Sequence, residues 1–128
     1  AGVRTAYVAA RAFKQQGAGA IINVSSVGAY LRHASMGVYA GLKQAVEVFS
    51  TALRVELKGS GVRVGTIAPG TTETEIFDRL RASGQPVRAD QTPALQSSDV
   101  ASAVRYMLEQ PKHVSVARML MVSSSESV

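Results

Sequence analysis

Three side chains in this sequence could together move a proton on or off a carbon-bound oxygen: Ser26, Tyr39 and Lys43. In Tyr39-Ala40-Gly41-Leu42-Lys43 the tyrosine and lysine stand at i and i+4, one helical turn apart on one face. A free tyrosine, with a pKa of about 10, is a poor acid or base at neutral pH. An ammonium group one turn away favours the phenolate and moves the phenol toward useful proton transfer. A serine hydroxyl reaching the same point, from thirteen residues upstream, could hold a carbonyl oxygen beside the phenol. Tyr-x-x-x-Lys alone is a weak motif, because such pairs arise by chance on solvated helix faces. Its surroundings decide its meaning.

The 128 residues suffice for one domain with a real core. Hydrophobic residues make up 46% and charged residues 18%, a globular composition. The net charge is +5, but no Lys/Arg run marks a nucleic-acid patch. With no cysteine, disulfides and thiolate metal sites are impossible. His33 and His113 have no company of carboxylates, so no metal site is expected. No apolar run approaches the roughly 20 residues that span a bilayer. Nothing resembles a signal peptide, and a cytoplasmic protein without membrane or nucleic-acid partners is the expectation.

The elements that must position the trio follow from periodicity. Val3, Ala6, Tyr7, Ala10 and Phe13 form a helical stripe within residues 1–16, ended by Gly17-Ala18-Gly19. Residues 20–24 read as a strand buried on both faces. Residues 25–35 read as a loop, in which Ser25 is expected to make a local turn bond. A helix from about Gly37 buries Ala45, Val46, Phe49, Ala52, Leu53 and Leu57 and stops at Gly59-Ser60-Gly61. Residues 62–68 form a second strand, broken by Pro69-Gly70. A short helix over 75–81, a polar stretch over 82–92, and a helix capped in Ser97-Ser98-Asp99 and closed by Pro111 follow. Residues 116–122 form a third strand and 123–128 a polar tail. This order predicts an α/β fold with a three-stranded parallel sheet and flanking helices. Three such strands make half of an open sheet, so an exposed strand edge near Ile21–Val24 is expected, with the rest of the domain before Ala1.

On these residues the chain resembles the short-chain dehydrogenase/reductase family, as the C-terminal catalytic half of its doubly wound, Rossmann-like domain. The strand ending Asn23-Val24-Ser25-Ser26 is similar to that family's catalytic-serine strand, with Ser26 at the family spacing to the tyrosine. Tyr39 and Lys43 match its Tyr-x-x-x-Lys, and Pro69-Gly70-Thr71-Thr72-Glu73-Thr74 resembles its Pro-Gly-x-x-x-Thr turn. The resemblance implies an NAD(P)-dependent oxidoreductase interconverting a secondary alcohol and a carbonyl, assembled as a homodimer or homotetramer. In it Tyr39 is the general acid or base, Lys43 lowers its pKa and bonds the nicotinamide ribose, and Ser26 orients the substrate oxygen. Pro69, Gly70, Thr72 and Thr74 hold the nicotinamide, and the cofactor supplies the hydride. The end of the chain resembles a subgroup acting on small hydroxy acids and aldehydes, which tilts NAD or NADP toward NADP.

The family's glycine-rich phosphate loop and its cofactor selector are absent from these residues, and its catalytic asparagine would fall just upstream of Ala1. Leu42 stands where a serine or threonine is more usual. Weak cofactor binding and poor solubility are therefore expected of these residues alone. A different class of function also fits: a truncated, non-catalytic oligomerisation module built on the two long helices. A third, Ser26 as a hydrolase nucleophile with His33, lacks the Gly-x-Ser-x-Gly elbow. Arg79, Arg81 and Arg88 read as a solvated charged stretch, with attraction of an acidic substrate as the alternative.

Overall fold

A computed structural model describes residues 2–31, 33–87 and 93–126. Arg88, and residues 89–92 of the polar stretch, lie outside them. The elements are α1 (Gly2–Gln16), β1 (Gly19–Val24), a short 3-10 helix at Val27–Ala29, α2 (Gly37–Glu56), β2 (Val62–Pro69), α3 (Glu75–Ala82), α4 (Ser97–Glu109) and β3 (Arg118–Met121). All strands run parallel in the order β1-β2-β3, with Ile21 opposite Val64 and Ala68 opposite Leu120.

The layers follow from the two-residue alternation of β2. Val64 joins a core with Ala6 and Ala10 of α1, Ile21 of β1, and Leu53 and Leu57 at the end of α2. Its neighbour Gly65 faces the other way, where a β-carbon would lie 2.8 Å from Met107 Cε of α4. Helices therefore cover both faces of the sheet, which is the doubly wound arrangement expected. Arg63 pins α4 to the sheet by donating to the carbonyls of Leu108 (2.8 Å), Gln110 (3.0 Å) and Val114 (3.2 Å). A cation is well placed among the unpaired carbonyls of a helix C-terminus.

Four expectations need correction. β1 is not buried on both faces: Ile21, which faces α1 and α2, is buried but Val24 is half exposed, and among the described residues β1 pairs only with β2 and so forms an edge as expected. The buried face of α2 is Ala40, Glu47, Ser50 and Leu53, followed by Leu57 just past its end. Ala45 and Ala52 face outward, and Phe49 packs only partly against the core. The start of α4 is capped at Gln96, whose backbone N–H donates to the Asp99 carboxylate at 2.7 Å, so Asp99 lies inside the first turn. The third strand is limited to Arg118–Met121, and the polar residues after it fold back rather than trail: Ser123 is buried and Glu126 N–H donates to Ser123 O at 2.9 Å.

Candidate active site

β1 and β2 end side by side, and the chain that leaves each of them lines one cleft of about 490 Å³. Open parallel sheets bind ligands outside the carboxyl ends of their strands. From just past the end of β1 come Ser26, Val27 and Gly28; from α2, Tyr39; from the last residue of β2 and the turn after it, Pro69, Gly70, Thr71 and Thr72. Ile76 and Phe77 of α3 supply an apolar wall.

Ser26 caps the 3-10 helix, its Oγ accepting from Gly28 N–H at 3.1 Å. This bond uses a lone pair and leaves the hydroxyl proton to donate. The local turn bond thus belongs to Ser26, whereas Ser25 is buried and reaches across to the Lys43 carbonyl at 3.4 Å. The local turn bond expected of Ser25 is therefore made by Ser26, while Ser25 reaches toward α2 and both serines line the cleft. Gly28 keeps Ser26 and Tyr39 together: a β-carbon there would lie 2.8 Å from Tyr39 Cε1 and 3.4 Å from Ser26 Oγ. Tyr39 stays 42% exposed.

Lys43 Nζ donates to Val24 O at 3.3 Å and stands 5.9 Å from the centre of the Tyr39 ring. It lies behind the tyrosine rather than in the cleft wall. Thr74 is also outside the wall; it opens α3 with an extended backbone and makes no side-chain bond to the helix. The structure thus brings Ser26, Tyr39, Pro69, Gly70 and Thr72 to one cleft, with Lys43 against Tyr39 and Thr74 apart. Arg81 is paired with Glu73 (2.6 Å) and Asp78 (3.1 Å). His33 reaches the cleft rim, and no group of three or more His, Cys, Asp or Glu forms among the described residues.

Two acidic residues were missed. Glu47, one turn after Lys43, is 1% exposed beneath α2 and accepts from Thr66 Oγ1 at 2.8 Å and Arg118 Nε at 3.2 Å. Burial pushes its pKa up, but Ser25, Thr66 and Tyr30 hydroxyls and the Arg118 charge outweigh that and hold it below the usual carboxylate range. Tyr30 Oη and Glu47 Oε1 are buried without hydrogen-bond geometry, so Tyr30 acts there as a nearby polar group more than as a formed bond. Burial first, and Glu47 second, raise the Tyr30 pKa. The signal for Glu47 was its helical spacing from Ala40, Lys43 and Ser50. The second, Glu126, lines the cleft beside Gly70.

The donor set and apolar walls suit the nicotinamide end of a dinucleotide: Ser26 and Tyr39 line the same cleft as the Pro69–Thr72 turn and the apolar Ile76 and Phe77 of α3. A sequence model described as short chain dehydrogenase matches residues 1–85. Serine 3-dehydrogenase of Rhizobium radiobacter is 34% identical over 113 residues, covering 85% of this chain and 45% of that protein. Sulfoacetaldehyde reductase 2 of Chromohalobacter salexigens is 39% identical over 110 residues, 82% of this chain and 43% of that protein. Among solved structures, the closed form of serine dehydrogenase complexed with NADP+ superposes with a TM-score of 0.78 at 30% identity, over 89% of this chain and 48% of that one. The chain belongs to the short-chain dehydrogenase family, and it spans just under half the length of the curated relatives it matches. No helix among the described residues is long and apolar enough to cross a membrane.

Proposed function

We propose that this chain supplies the catalytic half of a cytoplasmic, NAD(P)-dependent oxidoreductase that interconverts a secondary alcohol and a carbonyl on a small molecule. The observation that carries the reading is the meeting of Ser26, Tyr39 and the Pro69–Thr72 turn at the carboxyl ends of two parallel strands. In reduction, Tyr39 gives its phenolic proton to the carbonyl oxygen; in oxidation its phenolate takes that proton back. The Ser26 hydroxyl donates to the same oxygen and orients it. Lys43 stabilises the phenolate charge from behind the ring and, through Val24 O, holds the end of β1 to α2. When bound, the nicotinamide cofactor gives or takes the hydride.

Pro69, Gly70 and Thr72 would contact the nicotinamide end, with Thr74 behind them and Lys43 toward the ribose. NADP is the favoured cofactor, supported by the subgroup resemblance and by the NADP+ named with a solved relative. The phosphate-binding unit belongs, in this reading, to a part of the domain outside these residues. A homodimer or homotetramer is supported by the outward face of α2, where Val38, Leu42, Val48 and Val55 are all exposed.

The test is Tyr39→Phe in the complete enzyme. Turnover is expected to fall by at least about 10²-fold, the size of a lost general acid, with cofactor affinity little changed. Retained turnover would remove Tyr39 from the mechanism.

A further inference from the structure

We infer that Glu126 is a positioning residue of the cleft, one that clamps the Pro69–Thr72 turn into its ligand-binding shape before any ligand arrives. Its carboxylate accepts the Thr71 backbone N–H (3.1 Å to Oε2, 3.3 Å to Oε1) and the Thr71 hydroxyl (2.9 Å to Oε1). Hydrogen bonds to an ionised carboxylate are roughly twice as strong as neutral ones. The carboxylate packs so closely over Gly70 that a β-carbon there would collide with it.

Three features make this a clamp and not a loose end. The segment carrying Glu126 is itself ordered, through the buried Ser123, whose carbonyl accepts Glu126 N–H and whose Oγ is 2.9 Å from Ser125 Oγ. Gly70 N–H donates to Met121 O at 2.8 Å, which extends the β2–β3 pairing to the root of that segment. On its other side the turn is held by Leu95, which donates to Thr71 O at 2.9 Å and accepts from Glu73 N–H at 2.8 Å. Thr71 is thus bonded at its N–H, its carbonyl and its hydroxyl, and neighbouring Thr72 is bonded to Gly70 O at 3.0 Å, so both are held in place in the cleft wall. Ordering a binding loop in advance lowers the entropy lost on binding. Glu126 should therefore set cofactor affinity and leave the chemical step alone.

The clamp stands on its own hydrogen bonds; only the identity of the ligand rests on the proposed function. Two measurements on Glu126→Ala and Glu126→Gln test it. Hydrogen exchange at the Thr71 amide of the 128-residue chain should speed up about tenfold in Glu126→Ala. Glu126→Gln, whose amide oxygen can still accept that N–H, should fall in between. In the complete enzyme, NADPH affinity read by its fluorescence should weaken about tenfold in Glu126→Ala, recover in part in Glu126→Gln, and leave kcat at saturation within about twofold. Unchanged Thr71 exchange would overturn the inference. So would tighter NADPH binding by Glu126→Ala, which would make the carboxylate an obstacle and not a support. A wild-type enzyme that binds neither NADPH nor NADH would sink the proposed function instead, with Thr71 exchange still deciding the clamp.

Discussion

Helix α2 carries two polar constellations, centred on Tyr39 and on Glu47 about two turns later, that live under opposite rules. At its start, Tyr39 is partly exposed in an open cleft, touched by Gly28 on one side and the Lys43 ammonium on another. Four residues after Lys43, Glu47 is shut beneath the helix and bonded to β2 through Thr66 and to β3 through Arg118. The first leaves its reactive group uncommitted so that a substrate can use it. The second spends its hydrogen bonds inside the protein, so that the helix bearing the first cannot turn. One helix thus separates a working surface from an anchoring one mainly along its axis, the eight residues from Tyr39 to Glu47 rising about 12 Å.

That separation can be broken from either end. The largest effect on turnover is expected for Tyr39→Phe, at least about 10²-fold, with thermal unfolding unchanged. Glu47→Ala should do the reverse. It strands the Thr66 hydroxyl, so calorimetry should show a loss of about 1–3 kcal/mol, while any activity that survives keeps the pH profile of the parent. If Glu47→Ala instead shifted the pH profile and spared stability, the anchoring role would be wrong. Gly28→Ala probes the border between the two regions. Its methyl would push the Tyr39 ring, and since a misplacement near 1 Å can cost about 10²-fold, a loss of roughly ten- to a hundredfold in kcat is expected with little change in unfolding. The smallest effect is the acid limb of stability. Glu47 has its pKa lowered by folding, so its contribution is present above the unfolded value of about 4.3 and is lost as pH falls through the folded value. Acid titration of Glu47→Gln should show a shallower loss of stability below about pH 4.3 than the parent.

The sequence made the working surface easier to read than the anchoring one. Tyr39, Lys43 and Ser26 sit at fixed spacings on elements whose type is plain from their periodicity, and the structure finds those elements within a few residues of where they were expected. The inner face of α2 was misread because its outer face is equally apolar: Ala45 and Ala52 suit a core by type, yet face out, while Glu47 and Ser50 are buried. Residue type could not show this, since the partners that make a buried glutamate tolerable come from elsewhere in the chain. Ser50, for example, is met by Asn23 Nδ2 at 2.8 Å, 27 residues away. Glu126 was hidden for the same reason, in a stretch whose composition reads as tail because it forms hydrogen bonds and buries little. Ser25 and Ser26 could be told apart only by the bonds each makes in the fold.

The bond between Thr71 and Glu126 spans 55 positions along the chain. A ribosome therefore makes the Pro69 turn well before it makes the residue that holds it. During synthesis the turn emerges unsupported, while β1, α2 and β2 already have one another to pack against. The cleft is thus completed last, after its scaffold, and a nascent chain halted before Glu126 would carry every predicted catalytic side chain on a wall that has not yet set.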